Sequence, residues 1–235
     1  VPGHPAIFGT WSFVSDLRSG AMSGGSPEQA ILSAASAQMA HFYDLTGGTS
    51  SGISDSKIPD AQAGAEKGYN HALVGNAGMN LIYESAGMHG SLLGFSLEGV
   101  VLDNDIVGAV QRTIKGIEVT DESLSVDTIR AAVIDGPGHY LGAKQTLGAK
   151  QTLDIMQTEY IYPAVGDRLS PKEWNEVGRP QIIDVAIAKV KNILDNHYPS
   201  HIPEDVDARI REYLPIALPR EKMIHPALRG ETASV

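Results

Sequence analysis

The chain has 235 residues, 42% hydrophobic and 20% charged, which suits one large or two modest globular domains with a substantial core. A formal net charge of -10, with Lys and Arg scattered, excludes the basic patches that nucleic-acid phosphates require. No apolar run approaches the roughly 20 residues of a membrane span, and the absence of cysteine removes disulfides, cysteine nucleophiles and thiolate metal sites together, which fits a reducing cytoplasm.

The start, VPGHPAIFG, has no initiator Met and no basic region followed by an apolar stretch. No signal peptide is therefore expected, and the chain reads as beginning within a longer fold. AIFGTW (6–11) is the first expected strand. A helix follows, opened by Ser26 as cap, Pro27 in the first turn and Gln29 as reciprocal partner, with Ile31, Ala35, Met39 and Phe42 at helical spacing as its buried stripe. LTGGTSSGIS (45–54) is the second strand, its small residues suiting a crowded interior or close ligand approach. A helix is expected over about 60–76, a third strand over 79–88, a fourth in EGVVLD (98–103), and a helix over about 104–115.

This alternation, with units of about 35 residues, matches either a (β/α) barrel or an open doubly wound sheet. Four units make half of an eight-stranded barrel, which leaves sheet edges and an apolar interior to be covered. Past residue 117 the pattern turns helical: VTDESLSVDTIRAAVI; a capping box at Ser170, Pro171 and Glu173; an amphipathic PQIIDVAIAKVKNILDNH with Ile182, Val185, Ala186, Val190, Ile193 and Leu194 on one side; and PEDVDARIREYLP. The fold class expected is thus α/β, with β/α units over 1–117 and a helical C-terminal extension over 118–235.

Some chemical-looking motifs fail on spacing. GPGHYLG (136–142) spaces its glycines one residue too widely for a dinucleotide fingerprint and no strand precedes it. His197 and His201 have zinc-helix spacing, but Pro199 lies between them and no Glu stands in the expected place. No G-x-S-x-G elbow is present. The hexapeptide GAKQTL occurs twice in tandem, at 142–147 and 148–153. Six residues turn a helix by about 600°, so Lys144 and Lys150 would point about 120° apart and not act as a pair. The extra copy reads as a tolerated loop insertion.

Five blocks together carry more information: GTWSFVSDLRSGAMSGGSPEQA (9–30), SDSKIPDAQAGAEKG (54–68), GMNLIYESAGM (78–88), LDNDIVGAVQRTIKGIEVTDESL (102–124) and GPGHYLGAKQTL (136–147). In this order they resemble the C-terminal half of the trimethylamine:corrinoid methyltransferase family. The resemblance implies the last four strands of a TIM (β/α)8 barrel. It also implies an S-adenosylmethionine-independent enzyme that moves a methyl group from an amine to the cobalt of a corrinoid. The cobamide would be supplied by a partner corrinoid protein, with no cofactor or metal bound permanently. No non-standard residue is present, so the branch without pyrrolysine is favoured, similar to glycine betaine and other quaternary-amine methyltransferases. A homo-oligomer or a complementing N-terminal half is implied, without nucleic acid or membrane partners. The rival reading is a non-catalytic half barrel serving assembly or binding.

A site in such a barrel lies at the C-terminal ends of the strands. Trp11 ends the first strand and offers a ring to a trimethylammonium group, or packs under the next helix. Glu84, an acid in an apolar strand, would balance a cation or pair structurally. Tyr83 points to the opposite face from Glu84 unless the strand has ended. Asp55 and Lys57 order their loop, or Lys57 meets a substrate carboxylate; Asp16 and Arg18 stand in the same way by the first loop. His139 and Tyr140 lie on a loop able to fold over the barrel mouth. No catalytic residue is singled out.

Overall fold

A computed structural model describes residues 3–140, 147–199 and 201–225. It is a mixed helix–strand structure, as the α/β expectation requires. The chain divides into two compact units, residues 1–183 and 184–235.

The first unit is organised around three parallel strands in the order β1-β2-β3: β1 (Ile7–Thr10), β2 (Thr46–Ser50) and β3 (Leu81–Tyr83). Helix α1 (Pro27–Phe42) connects β1 to β2, and α2 (Ala61–Asn76) connects β2 to β3. Both helices begin where the sequence provides a cap. Ser26 Oγ accepts from Gln29 N at 3.2 Å with Pro27 in the first turn, and Asp60 accepts from Ala63 N at 2.9 Å. The Gln29 amide does not complete a box; it donates to Ser33 Oγ inside the helix.

The buried stripe of α1 differs from the expected one. Gln29, Ala30, Ser33, Ser36, Ala37 and Ala40 face inward, while Ile31, Met39 and Phe42 are exposed. The reason is steric. A Cβ added at Gly47 would lie 2.8 Å from Ala40 Cβ and 2.8 Å from Met79 Sδ, so around Ala40 the helix approaches the sheet too closely for a large side chain. The small apolar core of this layer is Ala37, Val74 and Met79, with Ala77 and Ile82 against it.

The expected fourth strand at 98–103 is not a strand. These residues are the first turns of α3 (Leu97–Lys115), capped by Ser96 Oγ accepting from Gly99 N at 3.0 Å. A short apolar run has no periodicity of its own, and here the cap and the burial of Gly99, Asp103 and Val110 decide for helix. β3 is also shorter than expected. It ends at Tyr83, and the β3–α3 connection holds a small antiparallel hairpin, β4 (Met88–His89) with β5 (Gly94–Phe95).

Under that hairpin lies a buried polar cluster. Lys67 of α2 and Asp103 of α3 pair at 2.6 Å with side chains 1% and 3% exposed, and Asp103 also accepts from Gly87 N at 2.7 Å. One ion pair therefore joins two helices and the β3–α3 loop. His71 is buried beside them, its Nε2 at 3.0 Å from Ser85 O, and burial holds its imidazole below the usual histidine range. His89 is buried with both ring nitrogens unpartnered; burial and then Lys67 depress it likewise, against weaker upward pulls from Asp103, Asp60 and the Ser56 backbone.

The helical residues after α3 fall into shorter pieces than the sequence suggests. Ser125, at φ 54°, separates α4 (Asp121–Leu124) from α5 (Val126–Ile129), and a π-helical turn, Arg130–Ile134, follows. Helix α6 (Leu147–Glu159) begins on the last residue of the first hexapeptide and contains the second. Arg112 and Lys115 of α3 pair with Glu159 at 3.1 and 2.6 Å, and Asp105 accepts from the amides of Ala164, Val165 and Gly166 at 2.8, 2.8 and 3.0 Å. These contacts fasten the 147–166 segment to α3. The capping box at Ser170 and Glu173 opens α7 (Pro171–Glu176) with both arms formed. Helix α8 (Ile182–Asn196) buries Ala186, half-buries Val185 and Val190, and leaves Ile182, Ile193 and Leu194 exposed. In the second unit, α9 (Glu204–Tyr213) holds Arg211 and Arg220 on Asp207 at 2.7 and 3.4 Å.

Two outcomes follow. Asp103→Ala strands a buried ammonium and should cost about 3–5 kcal/mol in urea unfolding, whereas Lys67→Met with Asp103→Leu should recover most of that loss. Second, the two histidines have folded pKa values below the unfolded one near 6.5. The unfolded chain then binds more protons, so their contribution is full above pH 6.5 and falls as the pH drops through 6.5 toward the folded values. The urea midpoint at about pH 5.5 should lie below that at about pH 7, with His71→Gln reducing the difference. Equal midpoints would show that the imidazoles are not held neutral.

Candidate active site

The strand register sorts the sheet residues onto two faces. Gly9 pairs with Gly48, Gly48 with Leu81, and Ser50 with Tyr83. Successive side chains alternate, so Ile7, Gly48, Ser50, Leu81 and Tyr83 share the face away from the helices. Gly48 confirms this: a Cβ there would collide with Tyr83 Oη and approach Ile7 Cγ2 to 3.3 Å. Tyr83 thus lies flat across β2 only because position 48 has no side chain.

This face is open. Ile7 is 56% exposed, Leu81 41% and Trp11, one residue beyond β1, 55%. Parallel sheets are ordinarily covered on both faces. At its C-terminal end, the Trp11 ring lies 6.1 Å from that of Tyr83, tilted by 45°, and 6.2 Å from Phe13 in an edge arrangement. Trp11 therefore does not pack under α1. It belongs to an aromatic cluster with exposed area.

Glu84 follows Tyr83 directly. Its φ of 49° is in the left-handed region, where a residue with a Cβ is strained by about 1 kcal/mol or more, and this conformation ends the strand. The alternation that would set Glu84 opposite Tyr83 therefore stops between them. Glu84 is half-buried, one carboxylate oxygen is buried without a partner, and burial pushes its carboxyl above the usual range. The hydroxyls of Ser50 and Ser51, where β2 ends, are also buried and unpartnered.

The other expected residues have different surroundings. The Asp55 carboxylate accepts from Gly25 N at 3.0 Å and from Ser23 Oγ and Ser91 Oγ in short hydrogen bonds. Lys57 is exposed, with Nζ donating to the Asp55 carbonyl at 2.7 Å. Arg18 and Asp16 pair with each other at 2.5 Å on the surface. His139 and Tyr140 are exposed on the loop after the π-helical turn, and among the described residues Tyr140 shares no ring contact with Trp11 or Tyr83. Residues 141–146, which follow them, lie outside the described residues.

The structure thus brings Trp11, Tyr83 and Glu84 into one region and sets Asp55 in the loops behind it. Sequence reasoning missed Ser23, Ser91 and the buried serines of β2, because a hydroxyl carries no periodic signal. For Tyr83, its position before Glu84 was the available clue. Among the described residues no group of three or more His, Asp or Glu could hold a metal ion, and no helix is long and apolar enough to cross a membrane.

Comparison with known proteins gives this arrangement a family. Residues 1–218 match the family model described as trimethylamine methyltransferase (MTTB). The trimethylamine methyltransferase MttB of Methanosarcina thermophila is 37% identical over 205 residues, covering 87% of this chain and 40% of that protein. The glycine betaine methyltransferase of Desulfitobacterium hafniense (strain Y51) is 31% identical over 214 residues, covering 91% of this chain and 43% of that protein. A trimethylamine methyltransferase MttB of Desulfitobacterium hafniense (strain DSM 10664 / DCB-2) is 31% identical over 209 residues. The chain spans about two-fifths of the length of these curated relatives. With a match of this extent, the chain belongs to the trimethylamine methyltransferase family.

Proposed function

We propose that this chain carries the amine-binding wall of a methyltransferase that moves a methyl group from a methylated amine, with a quaternary ammonium as the favoured substrate, to a corrinoid on a partner protein. The observation that carries the reading is the pairing of an exposed aromatic cluster with an unpartnered, half-buried carboxylate. Trp11 and Tyr83 present π faces, which attract a cation whose charge is spread over methyl groups. Glu84 supplies a counter-charge, and its missing partner is the substrate.

The chemistry asks little else of the protein. A corrinoid on the partner would supply the nucleophile and take the methyl carbon as the C–N bond breaks with its electron pair going to nitrogen, so a quaternary ammonium would depart as a neutral tertiary amine and need no proton. The residues here orient the nitrogen and balance its charge. Because Trp11 is more than half exposed, a methyl group held against it stays reachable by an acceptor carried on a second protein. Lys57, fixed to its own loop, is the cation available to a substrate carboxylate if the amine is a betaine.

The uncovered sheet face supports a larger barrel, with β1–β3 as consecutive strands, the β/α units over 1–117 and a helical extension over 118–235. The exposed Ile31, Leu32, Met39 and Phe42 of α1 favour an oligomer, and a cytoplasmic location accords with a cysteine-free chain. The open face taken alone equally favours a non-catalytic assembly subunit, and activity separates the two.

The test is methyl transfer to free reduced cobalamin from a panel of quaternary and tertiary amines, using the full chain with any polypeptide that co-purifies with it. Turnover with quaternary amines is expected, and turnover with none would sink the reading. Trp11→Ala should raise KM about tenfold while Trp11→Phe retains most binding. Glu84→Gln should weaken substrate binding yet stabilise the free protein by about 1 kcal/mol, because an unpaired buried charge is removed.

A further inference from the structure

Three loops leave the C-terminal ends of the three strands, and they meet at one carboxylate. Ser23 Oγ and Gly25 N of the β1–α1 loop donate to Asp55 of the β2–α2 loop, and so does Ser91 Oγ of the β3–α3 loop. The junction is reinforced around its edge. Gly24 N donates to Ser91 Oγ at 3.0 Å, and that oxygen lies 2.8 Å from Met22 O. Ser91 N donates to Ser54 O at 2.9 Å and Gly90 N to Ser56 O at 2.8 Å. From below, Glu66 of α2 accepts from Ser54 Oγ at 2.7 Å and Asp55 N at 2.8 Å, while Asn70 Nδ2 donates to Gly25 O at 3.2 Å. Ser91 adopts a left-handed φ of 51°, which the surrounding bonds hold in place.

An anion is the right group for this position. The carboxylate accepts its hydrogen bonds from hydroxyl and amide donors, and among the described residues no cation pairs with it; Lys57 takes the carbonyl of the same residue instead. Charge-assisted acceptance from three donors makes a stronger tie than neutral pairs would. The loops it joins are the ones that begin with Trp11 and Glu84. We infer that Asp55 is a positioning residue: by fastening the three loops together it fixes the separation between the aromatic cluster and the Glu84 carboxylate. The inference rests on the site assignment above for its functional meaning, but the tie itself does not.

Hydrogen exchange and ligand affinity test this in Asp55→Asn, which keeps the shape and sets an amide donor among donors. The amides of Gly24, Gly25, Gly90 and Ser91 should exchange at least about tenfold faster together, and tetramethylammonium affinity by calorimetry should fall about tenfold. Ser170→Ala, a cap loss in α7, should lower thermal stability and leave both readings unchanged. Should Asp55→Asn not fold, Ser91→Ala removes one arm and should loosen the first and third loops together. Faster exchange confined to residues 51–60 would overturn the tie. Joint loosening with unchanged affinity would overturn the positioning role. If the parent chain binds no tetramethylammonium, the amine reading fails, while the exchange pattern still decides whether Asp55 joins the loops.

Discussion

Gly47 and Gly48 stand back to back in β2, and the different neighbours on their two sides set the rest of the structure. Against Gly47 press Ala40 of α1 and Met79, so α1 sits close to the sheet at that point. Over Gly48 lies Tyr83, whose hydroxyl fills the space a side chain would take. A Cβ at position 47 would push the helix away from the sheet; one at 48 would displace the tyrosine. With Tyr83 across β2, the Trp11 ring lies beside it at a tilt of 45°. The glycine pair weakens β2 as a strand, and close packing on both sides is what it permits.

The two faces have opposite characters. The helical side is closed, and much of its polar interior is paired: Lys67 with Asp103, Asp103 with the Gly87 amide, His71 with Ser85, while His89, Gln29 Oε1 and Ser36 Oγ are buried there without partners. The other side is open, aromatic, and edged by groups without partners. Polar atoms left unsatisfied at strand ends, beside a residue held in a strained conformation, are what a site awaiting a ligand displays.

Much of this was legible in the residues, for reasons that can be named. The caps at Ser26 and Ser170 use side-chain chemistry local to three or four positions, and both formed. Strands β1 and β2 were read from a short apolar run and a run of small residues between helical segments, and helix α2 from its Ala-rich sequence. The α1 stripe was misjudged because large apolar residues were assumed to point inward, where small and polar residues lie instead. EGVVLD read as a strand because six residues do not distinguish a buried strand from a helix start. The break at Ser125 and the loop tie through Ser23 and Ser91 depend on contacts distant in sequence. Trp11 was singled out as a candidate from its strand-end position, and Glu84 from that position and the cost of an acid in an apolar strand; the place of Tyr83 beside Trp11 required the register. The doubled hexapeptide has a structural use in its second copy: Gln151 Nε2 donates to Ser125 Oγ at 2.7 Å, holding the turn between α4 and α5. Lys144 of the first copy lies outside the described residues.

The central claim is that the open face recognises a cation through its charge as well as its shape. The most direct measurement is the emission of Trp11, isolated by Trp174→Phe, during titration with tetramethylammonium and with tert-butanol, a neutral molecule of similar bulk. Saturable quenching by the ammonium, with at least about tenfold weaker response to the alcohol, is the predicted result. Equal responses to both, or no response to either, would contradict the account.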